Sequence, residues 1–317
     1  MVHSRKKKPL PDEYLGELPR ACMDELAAVE FVEGIRFGDS PLCPCCGSDD
    51  VYQQVDRTTG ERSKRFLWRC RECSKHYTVR KGTIMEDSRI PLRHWCFAFW
   101  AACASKKGVS AMQIHRQTGV SYKSALFLMH RIRWAMQRPG GGGKLFDRVE
   151  ADEAWVGGKT KGGKPGRGTT RPVVLGAVQR GGDIRARVVP DVTARTLSSA
   201  LSEWIEPSAT LYTDKWRSYG PVGKTFKAHY TVNHGAGEYA RGDVHTNTIE
   251  GFWALLKRGL HGTFHAVSRK HLPRYVNEFA WRWNYRKTSD GLRTAALIEC
   301  SVGKRLTYVE YLGRENP

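Results

Sequence analysis

Three acidic side chains in a strongly basic chain are placed where folding could bring them to one metal site: Asp152, Asp214 and Glu250. Asp152 lies in an apolar stretch that reads as a strand, Arg148 to Val156. Asp214 ends a second, Thr210 to Asp214, and Glu250 opens a stretch of helical pattern, Glu250 to Lys257. Thirty-five residues separate the second acid from the third. Hard carboxylate oxygens select hard cations, so such a trio suits Mg2+ or Mn2+ and leaves coordination positions open to water and phosphate. Two such ions about 3.5–4 Å apart can activate a water or a 3′-hydroxyl on one side of a phosphodiester and stabilise the departing oxygen on the other. Crowding three carboxylates should raise at least one pKa by repulsion. Each acid also has a plainer reading, as a buried strand acid, a turn residue and a first-turn dipole partner. Their joint placement favours the site, as does Lys257, seven residues after Glu250 and so on the same helix face. Glu150 and Glu153 flank Asp152, and strand alternation puts Glu150 on its face, so spacing alone leaves the first ligand open.

A second metal site is written in the cysteines. Cys43, Cys46, Cys70 and Cys73 form two C-x2-C knuckles with 23 residues between them, which is zinc-ribbon spacing. The strands of the ribbon are expected over Val51 to Gln54 and Arg65 to Trp68, around a turn at Thr58 to Gly60. A segment this short folds with the help of structural Zn2+ rather than by apolar burial. Cys45 is a spare beside the first knuckle, while Cys22, Cys96, Cys103 and Cys300 read as small core residues.

Fifty-two Lys and Arg against 32 Asp and Glu give a formal net charge of +20 over 317 residues, a surplus that attracts a polyanion, above all nucleic acid. No run approaches the roughly 20 apolar residues of a bilayer span, and Met1 to Lys8 lacks the apolar stretch of a secretory signal. A cytoplasmic, nucleoid-associated protein with no membrane partner is expected.

Several elements must position these groups. After an apolar helical stretch from Pro91 to Ala104, Ser110 and Ser121 read as caps of two helices bent at Gly119, and Ala125, Leu128, Met129 and Ile132 recur at helical spacing. This resembles a helix-turn-helix, with Tyr122, Lys123 and Ser124 placed for base edges and Lys107, Lys123, Arg131 and Arg133 for phosphates. An ordinary helical hairpin with a basic solvated face is the other reading. Pro139 to Gly143 marks a hinge. Beyond it the pattern gives three strands (Asp147 to Val156, Pro172 to Gln179, Ile184 to Val189), a helix from Thr193, and a strand ending at Asp214. A possible strand from Lys224 to Val232, a helix at Thr248 and a last amphipathic helix through Leu272 to Trp283 follow. That is the order of an α/β, ribonuclease H-like domain. The loop Gly157 to Thr170 could grip phosphates or be a disordered basic insertion. The segments expected are a basic N-terminal arm and helix (1–38), the zinc ribbon (39–82), the helix-turn-helix domain (88–138), the catalytic domain (144–290) and a C-terminal tail (291–317).

Four stretches carry a family resemblance. Val149-Glu-Ala-Asp-Glu-Ala-Trp-Val-Gly-Gly-Lys159, Tyr212-Thr-Asp-Lys-Trp-Arg-Ser-Tyr219, Val244-His-Thr-Asn-Thr-Ile-Glu-Gly-Phe-Trp-Ala-Leu-Leu-Lys-Arg258 and Gly262 to Arg286 are similar to bacterial DDE transposases of the insertion sequence 1595 superfamily. The resemblance covers nearly the whole chain. It implies that Asp152, Asp214 and Glu250 are the catalytic acids, with Lys257 the basic residue that follows the third. Some relatives carry Asn in place of the third acid, which makes Asn247 a rival ligand. The activity implied is cleavage at the terminal inverted repeats of an insertion sequence and joining to target DNA, within a homo-oligomeric synaptic complex. A DNA-binding regulator derived from a transposase and a ribonuclease H-type nuclease are the other readings.

Overall fold

In the computed structural model, which describes residues 12–137, 143–157, 171–233, 237–238 and 240–313, the chain divides into two units. Residues up to 136 together with those from 287 onward form the first, and 137–286 form the second. The basic arm, most of the glycine hinge and the loop after Gly157 lie outside the described residues.

The first unit begins with α1 (Leu18–Met23) and α2 (Glu25–Phe37), the latter started by Asp24, whose side chain accepts from Ala27 N at 2.8 Å. A small antiparallel sheet follows: β1 (Val51–Gln53), β2 (Trp68–Cys70) and β3 (His76–Tyr77). The second strand starts later than the Arg65 to Trp68 expected from sequence. Phe66 is held in a turn at φ +53°, its N–H bonded to Ser63 O, and Val51 pairs with Cys70. Glu33 of α2 ties this sheet down, accepting from Trp68 Nε1 at 2.7 Å and Arg62 Nη1 at 2.8 Å. Next come α3 (Leu92–Ala104), α4 (Ala111–Thr118) and α5 (Tyr122–Ala135). Ser110 and Ser121 cap the last two, and Gly119 makes the bend at φ +75°, a left-handed conformation that suits glycine.

The second unit is built on a sheet of five strands in the order β6-β5-β4-β7-β8: β4 (Arg148–Trp155), β5 (Val173–Gln179), β6 (Ile184–Val189), β7 (Thr210–Asp214) and β8 (Ala228–Val232). The first three form an antiparallel meander, and β7 and β8 join in parallel on the other side of β4. Six of the seven residues of β5 are buried, as a strand covered on both faces requires. One face packs α6 (Ala194–Trp204) through Leu197, Ala200, Leu201 and Trp204, with α7 (Tyr219–Gly223) alongside. A two-stranded ribbon, β9 (Ala240–Arg241) and β10 (Val244–His245), then leads into the helices of the other face. Those are α8 (Asn247–Gly259), through Ile249, Phe252, Trp253 and Leu256, and α9 (Leu272–Asn284), through Leu272, Tyr275, Val276 and Phe279. This is a ribonuclease H-like α/β sandwich.

The C-terminal stretch then returns to the first unit. Expected as a tail, it forms α10 (Asp290–Glu299) and α11 (Tyr308–Leu312). Arg293 Nη1 reaches the carbonyl of Cys103 at 2.7 Å, and Phe127 of α5 meets Tyr308 and Tyr311 edge-on and tilted. Among the described residues, no helix is long and apolar enough to cross a membrane.

Candidate active site

Parallel pairing sets two of the acids side by side. Arg148, Val149 and Glu150 of β4 are in register with Thr210, Leu211 and Tyr212 of β7, and the same register continued brings Asp152, within β4, level with Asp214, the last residue of β7. One carboxylate oxygen from each, together with one from Glu153, lies within 4.8 Å of the others. Glu250 lines the same open cleft from the first turn of α8, as do Trp253 and Lys257. Its carboxylate stands outside the close group, however, and Oε1 accepts from Thr246 Oγ1 at 3.0 Å. Carboxylates repel one another, and Glu250, exposed on a first turn, turns toward a hydroxyl instead.

Glu153 is the close acid that spacing did not single out. It leaves β4 on the face opposite Asp152, is only 6% exposed, and accepts from the buried Tyr219 hydroxyl at 2.8 Å. Its position past Glu150, the last β4 residue paired with β7, where that seam opens beside Asp214, brings it to the cleft despite the alternation.

Asp152 is positioned by two residues with no acid chemistry of their own. Trp253 Nε1 donates to Asp152 Oδ2 at 3.0 Å. The indole finds room because Gly176, the β5 partner of Asp152, has no side chain: a Cβ there would lie 2.8 Å from Trp253 Cη2 and 2.9 Å from Cζ2. Burial, followed by the negative charges of Glu153 and Asp214, pushes the Asp152 carboxyl up to about 7, against the hydrogen bonds from the backbone and Trp253. A divalent cation relieves both causes, and the all-oxygen donor set fits one of the Mg2+ or Mn2+ kind.

Glu150, the second candidate for the first ligand, is fully buried and spent elsewhere. It accepts from Thr248 N at 2.8 Å and Ile249 N at 3.0 Å, from Thr248 Oγ1 at 2.9 Å, and from Arg180 Nε at 2.7 Å. Thr246, at the N-cap of α8, makes no side-chain cap bond, so a carboxylate from the sheet caps the helix in its stead. Asn247 is the exposed first residue of α8 and does not line the cleft.

The four cysteines converge as their spacing requires. Cys43 and Cys73 Sγ are 3.7 Å apart, Cys46 and Cys70 Sγ 3.6 Å, and all four lie within 4.8 Å of one another. A tetrahedron of thiolates at about 2.3 Å from Zn2+ has edges of about 3.8 Å, so the donor set fits that ion. Gly47, at φ +79°, closes the first knuckle with its N–H on Cys43 O at 2.8 Å. Burial opposes ionisation of Cys43, but N–H groups of Cys45 and Cys46 and the neighbouring thiols outweigh it and bring that thiol down to about 7. Cys45 is exposed and outside the cluster.

The residues expected to touch DNA divide into two groups. Tyr122 and Lys123 are exposed at the start of α5, Lys123 Nζ lying 5.7 Å from the Tyr308 ring, while the half-buried Ser124 is engaged by the capping Ser121 hydroxyl at 2.9 Å. Arg131 and Arg133 correct the expectation. They are 7% and 1% exposed, and Arg131 is consumed by the carbonyls of Leu306 (3.2 Å) and Glu86 (3.0 Å) and by the Phe127 ring. For Arg131 the C-terminal return supplies one of those carbonyls, that of Leu306, and periodicity within α5 does not reveal it.

A ribonuclease H-like sheet with acids level with one another on adjacent parallel strands, together with a four-cysteine ribbon, defines the DDE transposase class. The comparisons agree. Residues 144–284 match the model of the ISXO2-like transposase domain and residues 23–76 that of the transposase zinc-ribbon domain. A protein in the transposable element ISH50 of Halobacterium salinarum is 28% identical over 281 residues, covering 83% of this chain and 92% of that protein. A transposase-like protein of Haemophilus influenzae is 33% identical over 97 residues, covering 31% of this chain and 77% of that protein. The chain belongs to the insertion sequence 1595 family of transposases.

Proposed function

We propose that this transposase cuts DNA at the terminal inverted repeats of its element and joins the ends to target DNA, with Asp152, Asp214 and Glu250 as the acids of the cutting site. The observation that carries the reading is the convergence of Asp152 and Asp214 in a cleft that Glu250 and Lys257 also line. Two Mg2+ or Mn2+ ions bound there would supply the activation of the attacking oxygen and the stabilisation of the leaving one. Asp152 and Asp214 present their oxygens from a rigid sheet, and Trp253 fixes the rotamer of the first. Lys257, two turns along α8 from Glu250, holds a phosphate at the edge of the cleft. Glu250 is the adjustable member, swinging from Thr246 when positive charge collects in the cleft. The zinc ribbon and the α4–α5 pair bind the repeats, with Tyr122, Lys123 and Ser124 at the major groove, and the segment 144–290 does the cutting. The protein acts in the cytoplasm on nucleoid DNA, as a homo-oligomer that holds two ends together.

The test uses duplex DNA taken from the flanks of the encoding gene. The full chain should nick and join it when Mg2+ is added, and Asp214→Asn should bind it without cutting. Cutting in the absence of divalent cation, or undiminished cutting by Asp214→Asn, would overturn the assignment. Degradation of an RNA–DNA hybrid without strand joining would favour a ribonuclease H-type nuclease instead.

A further inference from the structure

A second cavity, of about 410 Å3, adjoins the acid cleft and shares Lys257 with it. Its character is the reverse of its neighbour's. Arg171, Lys257, His261 and His265 line it, and among the described residues no acid does. Val156, Leu260 and Val267 supply an apolar wall. One side is the end of β4. The other is the segment after α8, where the helix widens into a π turn over Leu260–Phe264 and stops at His265, a non-glycine residue at φ +58°. A π turn and a left-handed histidine both cost energy, and such features collect where a local shape is used.

The volume lies within the range of about 300–1,000 Å3 common to small-ligand sites, so one nucleotide fits and a double helix does not. The lining matches a nucleotide in both its parts: cationic groups for a phosphate, and an apolar wall with imidazoles at its edge for a base. We propose that this cavity takes one unpaired nucleotide of the DNA strand engaged at the acid cleft, its phosphate on Lys257 and Arg171 and its base against Val156, Leu260 and Val267. The proposal rests on the reading of the neighbouring cleft as the place where a DNA strand is cut. Because Lys257 borders both spaces, a nucleotide seated here lies next to the phosphate that is engaged at the acid cleft. Opening the duplex beside the cut then becomes part of engaging the strand, and apolar contact without base-edge hydrogen bonds makes the site tolerant of sequence.

The experiment compares a blunt duplex with the same duplex carrying a short single-stranded tail that contains 2-aminopurine. Both are titrated with the full-length Asp214→Asn protein in EDTA, so that no strand is cut. The tailed duplex should bind about ten-fold more tightly, with a change in 2-aminopurine fluorescence on binding. Ala266→Phe adds bulk at an exposed position on the cavity lining and should bring the ratio of the two affinities to one, and Arg171→Ala should lower it. Equal affinities for the two duplexes, or a tail preference that survives Ala266→Phe, would overturn the proposal. Failure of the acid-cleft reading shows elsewhere, as wild-type protein that does not cut with Mg2+ whatever its preference for a tail.

Discussion

Arg180 donates through Nε to Glu150 across 2.7 Å, joining the strand that carries Asp152 to the ribbon that leads into the helix of Glu250. The same guanidinium reaches the carbonyls of Asp243 (2.8 Å) and His245 (2.9 Å) and lies 4.2 Å from the Tyr212 ring. Glu150, with no exposed surface, has its oxygens taken by α8 and this arginine. Replacing it with Ala leaves Arg180 with Asp243 as its carboxylate partner at 3.0 Å and takes the acceptor from Thr248 N and Ile249 N at the start of α8. Glu150→Ala should therefore lower stability by about 2–4 kcal/mol, read from denaturant unfolding. A loss below about 1 kcal/mol would mean that the pair holds nothing in place.

Gly176 and Trp253 make a separate prediction about Asp152. A methyl group at 176 would fall inside the contact distance of the indole, so Gly176→Ala should displace Trp253, cost about 1–3 kcal/mol, and weaken metal-dependent cutting. Trp253→Phe keeps most of the ring and removes only the N–H to Asp152. It should cost about 1 kcal/mol of stability and raise the Mg2+ concentration needed for half-maximal cutting. An unchanged Mg2+ requirement in Trp253→Phe would remove the indole from any positioning role.

These two residues also show where the sequence was legible. The strands of the second unit follow from apolar runs bounded by turns, and the acids at β4 and β7 are conspicuous in so basic a chain. The helix stripes through Ile249 to Leu256 and Leu272 to Phe279 are equally plain. What periodicity did not reveal is contact between distant segments. Nothing local marks Gly176 as the gap that admits Trp253, Glu150 as the cap of α8, or Leu306 of the C-terminal return as the partner of Arg131. Strand alternation favours Glu150 over Glu153 as the companion of Asp152, and only the opening between β4 and β7 past Glu150 brings Glu153 to Asp214.

The ribbon predicts a metal count. With four thiols already within reach of one ion, the purified protein should hold one equivalent of zinc, and Cys46→Ser should lose it. Because Glu33 of α2 holds Trp68 and Arg62, loss of zinc should also loosen α2, seen as faster amide exchange there. Full protection of α2 in the zinc-depleted protein would separate the two elements.

His229 gives stability a pH dependence. Thr213 Oγ1 donates to Asp214 O, so the Nε2 facing that hydroxyl at 2.8 Å carries the proton. Further protonation must then occur at Nδ1, which is packed so closely on Gly223 that a Cβ there would lie 2.0 Å away. Burial lowers the pKa of His229 below 6.5. The unfolded chain therefore takes up a proton before the folded one does, and the contribution of His229 is intact above pH 6.5 and lost as pH falls toward its folded value. Asp152, its carboxyl raised to about 7, works in the opposite sense over the same range, so the test is the difference: the unfolding midpoint of the parent should fall relative to that of His229→Gln between about pH 7.5 and 5.5. Equal slopes in the two proteins would place the titrating group elsewhere.

The third acid is the sharpest question the cleft poses, because family pattern points to Glu250 and proximity to Glu153. Their surroundings separate them. Glu250 is exposed on the first turn of α8, so Glu250→Gln should leave unfolding within about 0.5 kcal/mol of the parent while abolishing cutting. Glu153 is buried against Asp152, Asp214 and the Tyr219 hydroxyl, so Glu153→Gln removes a repelling charge from the cluster. If its role is electrostatic, that variant should keep cutting and ionise Asp152 at lower pH, which carboxyl-resolved NMR in EDTA would register. If Glu153 is instead a ligand, Glu153→Gln should lose Mn2+ affinity in calorimetry and Glu250→Gln should retain it. That outcome would move the third ligand from α8 to β4.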